Sequence, residues 1–242
     1  MLWQASWFVG MAAVVLLACK DDVSSTATTT TSSAGGGGIG GEGIGGEPSW
    51  IVPTGSGGCD TILYEPPNQG QGHVEECSKV TYWSNPPSSG PHYPKWALFK
   101  TYDEAFPRGY YVHSMEHGAV VLAYKCTGDC TREVAAIQAL VDALPGDPLC
   151  PDGAGGGPPG TGGAGGGTSN LIRTRVIIVP DPLLDVPFAA TAWGNMLKAQ
   201  CFDADLVGEF ISAHYAKAPE DGCFGGIDPT DPASRIPPDC GE

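Results

Sequence analysis

Two glycine-rich tracts limit where this chain of 242 residues can build a hydrophobic core. Residues 35–46 contain nine glycines and residues 153–167 contain ten, out of 36 in the whole chain. Such segments bury little apolar surface and behave as flexible chain. When these tracts and residues 1–34 are set aside, roughly 180 residues remain, which is enough for one domain of ordinary size.

The N-terminus predicts export and a lipid anchor. The apolar run from Trp7 to Ala18 is shorter than the roughly 20 residues that span a bilayer. It ends in Leu-Leu-Ala-Cys at residues 16–19, which resembles the lipobox of bacterial lipoproteins. We therefore expect a signal peptide over residues 1–18, lipidation of Cys19, and a Ser/Thr/Gly-rich tether over residues 19–49. An ordinary signal peptide followed by a cysteine is the alternative.

These features predict a location in the cell envelope. The protein would be anchored to a bacterial membrane through Cys19, with its folded domain in the periplasm or at the cell surface. The formal net charge is −15, from 12 basic and 27 acidic residues. An acidic surface of this kind repels phosphate backbones, so we expect no nucleic acid as a partner. The membrane is expected as a partner through the lipid anchor at Cys19.

Nine cysteines predict a disulfide framework. Lipidation of Cys19 leaves eight, an even number that in an exported protein indicates up to four disulfides. We expect one bridge to close the turn between Cys126 and Cys130. The other expected pairs are Cys59–Cys77, Cys150–Cys201 and Cys223–Cys240.

Hydrophobic periodicity predicts a single α+β domain over residues 50–242. Near-continuous apolar runs predict buried strands, and apolar residues at helical spacing predict helices. In chain order we expect a strand at Ala119–Tyr124, a helix from Thr131 to Pro145, strands at Arg175–Pro180 and Phe188–Trp193, and a helix from Asp203. This strand–helix–strand–strand–helix core, stapled by disulfides, is compatible with the second half of a thioredoxin-like fold. Residues 151–169 interrupt it as a Gly-rich loop insertion.

Three separated motifs lie between Val80 and Tyr215. They are Asn-Pro-Pro-Ser-Ser-Gly-Pro-His-Tyr-Pro at residues 85–94, His-Ser-Met-Glu-His-Gly at residues 113–118, and Thr-Ala-Trp-Gly at residues 191–194. Together they resemble a bacterial family, domain of unknown function 3105. The resemblance implies an exported or membrane-tethered domain and brings no established activity. We expect Trp193 in the third motif to be a core aromatic residue.

Three histidines in these motifs are candidate metal ligands. His113 and His117 lie on one side of either a strand or a helical turn, and prolines hold His92 in a rigid loop. Three imidazoles suit zinc or copper, and the thioether of Met115 would add a ligand for copper. Glu116 would then accept a hydrogen bond from one of the metal-binding side chains, or act as a base. Two alternatives stay open, namely structural hydrogen bonds from the histidines to backbone carbonyls and acid–base catalysis.

The pair Cys126 and Cys130 falls between a predicted strand and a predicted helix. In that position, with a distant histidine, it resembles the copper site of the Sco-type copper chaperones, which are thioredoxin-like. A plain disulfide that closes a turn, as expected above, is the preferred interpretation. We expect His73 and His214 to have packing or surface roles only.

The sequence therefore leaves three functions open. The first is a lipid-anchored envelope protein whose domain is a binding module, with a His-rich site for a transition metal, copper or zinc. The second is thiol-redox or copper-chaperone activity through Cys126 and Cys130. The third is a structural surface protein. No catalytic residue is assigned, and an enzyme is the less favoured class.

Overall fold

A mixed sheet of five strands forms the centre of the fold. The computed structural model describes residues 59–150, 173–223 and 225–241. These residues all belong to one compact unit. The predicted signal peptide, the lipidated Cys19, the tether and the loop insertion at 151–169 lie outside the described residues and remain predictions.

The described chain contains five strands and three α-helices. The strands are β1 (Thr61–Tyr64), β2 (Val120–Tyr124), β3 (Val176–Pro180), β4 (Phe188–Ala192) and β5 (Asn195–Ala199). The helices are α1 (Arg108–Glu116), α2 (Thr131–Asp142) and α3 (Ala204–His214), and a short 3₁₀ turn covers Pro232–Ser234. Within the described ranges, no helix is both long and apolar enough to cross a membrane.

The strands follow the order β1-β5-β4-β2-β3 across the sheet. Of the strand pairs described, β2 and β3 are parallel, with Val121 opposite Ile177, and the others are antiparallel. β2 therefore lies between β4 and β3, and all of its residues are buried. A central strand that is covered on both faces explains the near-continuous apolar run Val-Val-Leu-Ala-Tyr.

Each face of the sheet carries its own hydrophobic cluster. Because side chains alternate along a strand, Val121 of β2 lies in one cluster and Leu122 in the other. α2 and α3 pack on the Leu122 face, through residues such as Ile137 and Phe210. The Val121 face is covered by α1, through residues such as Met115, and by the loops around that helix.

The predicted strand–helix–strand–strand–helix core is confirmed as β2, α2, β3, β4 and α3. β1, β5 and α1 are not predicted from the sequence. α1 begins Arg-Gly-Tyr-Tyr-Val and contains several residues of modest helix propensity. Residues 109–116 are all buried, so packing rather than propensity determines this helix. Gly109 is required there, because a Cβ would come within 2.8 Å of the Tyr93 ring.

Four disulfides connect the described cysteines. They are Cys59–Cys201, Cys77–Cys240, Cys126–Cys130 and Cys150–Cys223. The expected bridge between Cys126 and Cys130 is therefore confirmed. The expected pairs Cys59–Cys77, Cys150–Cys201 and Cys223–Cys240 are wrong, and each correct pairing has an identifiable cause.

Strand pairing explains the bridge between Cys59 and Cys201. β1 is antiparallel to β5, with Thr61 opposite Ala199. Two residues further along the same register, Cys59 lies opposite Cys201, and their Cα atoms are 5.5 Å apart. Because neither strand is predicted from the sequence, the two cysteines could not be placed together.

A buried arginine explains the bridge between Cys150 and Cys223. Arg175 donates to the carboxylate of Asp147 at 2.8 Å and to that of Asp221 at 2.5 Å. These aspartates precede the two cysteines by three and two residues. The charge of Arg175 therefore holds the loop after α2 against the segment after α3.

The C-terminal segment explains the bridge between Cys77 and Cys240. The amide of Ile227 donates to the carbonyl of Trp96 at 2.9 Å, and the amide of Leu98 donates to the carbonyl of Ile227 at 2.8 Å. The segment is thus paired with the chain that precedes α1, and it continues to the surroundings of Cys77. This pairing of distant segments has no local signal in the sequence.

Candidate metal centre

The proline-rich loop is held at its start by an ion-pair network. Arg108, the first residue of α1, donates to the side-chain oxygen of Asn85 at 2.8 Å and to the carboxylate of Asp181 at 2.9 Å. Asn85 in turn donates to the carbonyl of Leu183 at 2.9 Å. The loop that leads to His92 is thus fixed against α1 and against the loop after β3.

The turn between β4 and β5 holds the same loop from another side. The amide of Gly194 donates to the carbonyl of Ser88 at 2.8 Å, and the hydroxyl of Thr191 donates to the carbonyl of Pro87 at 3.0 Å. Trp193 is buried in the core, as predicted. Its ring makes an edge-to-face contact with the ring of His92, with the centroids 6.2 Å apart. Two of the three sequence motifs therefore meet at this loop.

His73 reaches the same place through a short backbone bridge. The amide of Val74 donates to the carbonyl of His92 at 2.8 Å, and the amide of His92 donates to the carbonyl of Gly72 at 3.0 Å. The ring centroid of His73 lies 4.9 Å from that of His92 and 4.8 Å from that of His113. His73 therefore lies beside the candidate ligands and does not have only the expected packing or surface role. Its local sequence gives no sign of this contact, because the contact depends on pairing between distant segments.

The last turn of α1 supplies the remaining donors. His113 and Glu116 are three residues apart and therefore lie on the same side of the helix. The Oε2 atom of Glu116 is 3.0 Å from Nε2 of His92 and 3.9 Å from Nε2 of His113. One ligand atom from each of His73, His92, His113 and Glu116 lies within 4.8 Å of the others. These four residues, called here the His/Glu group, could hold a metal ion.

Backbone carbonyls determine which nitrogen of each buried ring faces the group. Nδ1 of His92 lies 2.9 Å from the carbonyl oxygen of Gly90, and Nδ1 of His113 lies 2.6 Å from that of Tyr93. A carbonyl can only accept a hydrogen bond, so each Nδ1 carries the proton. In the neutral ring, each Nε2 is then unprotonated, and its lone pair lies on the side of Glu116. Metal-binding histidines make this kind of contact through their second nitrogen.

Burial keeps the two rings neutral and favours the protonated carboxyl group. It lowers the pKa of His92 to about 4 and that of His113 to about 3, although the carbonyl contacts oppose the shifts. Burial also raises the pKa of Glu116 to about 7, with a smaller contribution from the negative charge of Glu220. At neutral pH the group therefore contains two uncharged imidazoles and a carboxyl group that is still titrating.

Comparison with known proteins identifies the family. Residues 73–224 match the family described as "Protein of unknown function (DUF3105)". The chain belongs to this family. The matched region begins at His73 and contains the whole His/Glu group. No curated protein and no solved structure matches the chain.

Two of the predicted ligands occupy other positions in the DUF3105 domain. His117 stacks on His113 with ring centroids 4.9 Å apart and planes 21° apart, and its Nδ1 lies 3.3 Å from Oε2 of Glu220. It therefore supports the ring of His113 from outside the group. Met115 is fully buried in the hydrophobic cluster beneath α1, two helix positions from His113 and on a different side of the helix.

The bridge between Cys126 and Cys130 lies at the other end of β2 from the His/Glu group. Glu116 precedes the start of β2, whereas Cys126 follows its end. β2 contains five residues. A strand of that length spans roughly 13 Å at about 3.3 Å per residue. Among the described residues of the DUF3105 domain, these cysteines and histidines therefore do not form a shared copper site.

The buried histidines should make the stability of the metal-free DUF3105 domain depend on pH. Burial lowers the pKa of His92 from 6.5 to about 4 and that of His113 from 6.5 to about 3, so at about pH 5 the unfolded chain binds protons on both rings that the folded chain does not bind. Glu116 has the opposite effect, because its pKa is raised from 4.5 to about 7, but it is one group against His92, His113 and His117, whose pKa values burial lowers. We expect the urea midpoint of chelator-treated protein to be lower at about pH 5 than at about pH 7.

The His92→Gln variant is the control for this pH dependence. It removes one of the buried imidazoles whose pKa is lowered, so the difference between the two midpoints should become smaller. A native midpoint that is the same at both pH values would contradict the assignment of neutral, buried imidazoles.

Proposed function

We propose that this domain binds a divalent transition-metal ion through the His/Glu group. The observation that carries the proposal is the direction of the buried acceptor atoms. Nε2 of His92, Nε2 of His113 and Oε2 of Glu116 face one another in the interior. Both rings turn their N–H groups away from this point, toward backbone carbonyls.

Such an arrangement is stabilised by a positive charge at its centre. Nε2 of His92 is buried and forms no hydrogen bond within the described residues, although Oε2 of Glu116 is 3.0 Å away. Buried polar atoms without a partner are rare and destabilise a fold. A cation satisfies all three acceptors at once, whereas one proton on Glu116 can be donated to only one ring. A purely structural role for the histidines accounts for their Nδ1 atoms and leaves Nε2 of His92 without a hydrogen bond.

Three imidazoles and one carboxylate fit zinc best and copper(II) next. Zinc takes nitrogen and oxygen ligands in tetrahedral sites, with metal–nitrogen distances of about 2.0–2.1 Å. Copper(II) accepts the same ligand types and generally binds more tightly. The thioether of Met115 packs in the hydrophobic cluster, which removes the reason for preferring copper alone.

Zinc should raise the melting temperature of the chelator-treated protein. An ion that binds only the folded state stabilises it by about 2.7 kcal/mol when its free concentration is about 100 times Kd. The His113→Ala variant should lose this gain, because it removes one of the buried donors. Thermal unfolding followed by circular dichroism, with and without Zn²⁺, measures both effects.

The His214→Ala variant is the matched control for zinc binding. His214 ends α3 and is not part of the His/Glu group. Zinc should stabilise this variant as much as the native protein. Equal stabilisation of His113→Ala would contradict the site, and no stabilisation of the native protein by zinc or copper would favour the purely structural function.

We also propose that Cys19 anchors the protein to a bacterial membrane and that the domain works in the cell envelope. The Leu-Leu-Ala-Cys sequence at residues 16–19 supports this proposal, as does the use of the eight other cysteines in disulfides. The Cys19→Ser variant should move from the membrane fraction to the soluble fraction after cell lysis and centrifugation. A Cys126→Ser variant, with the same substitution elsewhere, should stay with the membrane, and unchanged sedimentation of Cys19→Ser would contradict the anchor.

A second candidate function is thiol–disulfide exchange at Cys126 and Cys130. Cys126 is exposed, and Cys130 directly precedes α2. The strands β3-β2-β4-β5 combine one parallel pair with two antiparallel pairs, and α2 and α3 cover one face while α1 covers the other. This arrangement supports a thioredoxin-like core, in which a cysteine pair after the central strand lies at a helix N-terminus that stabilises a thiolate. Asp129 between the cysteines opposes that effect, so the disulfide would be the resting form.

Mild reduction with glutathione should open the bridge between Cys126 and Cys130 first. Its sequence separation is 4 residues, whereas the other three disulfides span 73 to 163 residues. Chain entropy gives little reason for this bridge to open first, because its loop is the shortest. Accessibility gives the reason, because Cys126 is exposed and its sulfur can be attacked by a thiolate. Alkylation and peptide mass spectrometry should find these two thiols alone. Resistance of this bridge, or simultaneous opening of all four, would contradict the redox function.

A further inference from the structure

We infer that a metal ion in the His/Glu group exchanges a ligand with its surroundings at the position of His73, where an imidazole from outside the domain can take the place of the His73 ring. This inference rests on the proposed function, since it concerns the same ion. It goes further by naming which of the four bonds is replaceable and what chemistry replaces it.

Burial separates His73 from the other three donors. His92, His113 and Glu116 are 0 %, 3 % and 4 % exposed, whereas His73 is an exposed residue. A molecule from outside can therefore approach the ion from the side of His73, because the other three donors are buried in the core. The three other donors are buried and surround the proposed ion on the side of the core.

The contacts that hold each ring also distinguish His73 from the two buried histidines. The rings of His92 and His113 are oriented by hydrogen bonds from Nδ1 to carbonyls inside the protein. His117 also stacks on His113 and limits its rotation. The position of His73 comes from the backbone bridge on either side of it, through Gly72 and Val74, and the residue as a whole is exposed.

Ligand exchange at this position is a simple substitution. The bond between the ion and the ring nitrogen of His73 breaks, and a bond from the ion to the lone pair of an incoming neutral imidazole forms. No electron is transferred, and His73 leaves as a neutral ring. Zinc sites closed by four protein ligands are structural, whereas catalytic zinc sites keep one position for water or substrate. Departure of His73 would leave three protein donors and one such position.

A pair of cavity variants tests the inference. His73→Gly and His113→Gly remove the same side chain, once at the surface and once in the interior. The probe is the peptide N-acetyl-Gly-His-Gly-amide, which presents one imidazole and is too large to enter a cavity in the core. Zn²⁺ affinity is measured by competition with a chromophoric chelator, with and without the peptide.

We expect the native protein to bind Zn²⁺ and His73→Gly to bind it at least about tenfold more weakly. The peptide should restore most of the affinity of His73→Gly and none of that of His113→Gly. In the native protein, the peptide should also accelerate the release of Zn²⁺ to the chelator. That measurement needs no variant, so it decides the question even when His113→Gly does not fold.

The outcomes separate the two proposals. If the native protein binds no Zn²⁺ or copper(II), the proposed function itself is overturned. If it binds the ion but His73→Gly binds equally well, or the peptide restores neither variant, the exchange position is overturned while the metal site stands. Equal restoration of both variants, or release from the native protein that the peptide does not change, also overturns it.

Discussion

The hydrogen bonds from the two buried imidazoles to the carbonyls of Gly90 and Tyr93 are the contacts on which the site depends. They fix the tautomers, and the tautomers direct both Nε2 atoms toward Glu116. The direction of the first carbonyl depends on glycine itself, because Gly90 has a φ of +124°, which residues with a side chain rarely adopt. The Ser-Gly-Pro-His sequence therefore supplies a ligand, the glycine conformation that orients it, and a proline that restricts the chain between them.

A second layer of contacts fixes the end of α1, which carries the other buried donors. Gly118 follows the helix with a φ of +89°, and a Cβ there would come within 2.8 Å of Nη1 of Arg175. Arg175 donates to the carbonyl of His117 at 3.0 Å and binds two aspartates. A buried guanidinium is destabilising without such partners, so these residues are needed together. The geometry of the last turn of α1 thus depends on an ion-pair network that never touches the proposed metal ion.

Regular burial is what sequence patterns can predict in this chain. β2, α2 and α3 are found because one face or both faces of each element meet a continuous core. α1 is buried on every side, so it has no apolar stripe, and β1 and β5 lie toward an edge of the sheet. The three incorrect disulfides and the role of His73 have a common cause, since both depend on the pairing of distant segments. Glu116 is recognised from its motif, but its place among the donors follows from the helix.

The two chemically notable features of the domain are independent because β2 separates them. The His/Glu group lies before the start of this strand and relies on segments tied by Cys77–Cys240 and Cys150–Cys223. The bridge between Cys126 and Cys130 lies beyond its end and closes only its own turn. None of the contacts described for the four donors involves Cys126 or Cys130. A redox role at one end and a metal role at the other can therefore both exist, and neither provides evidence for the other.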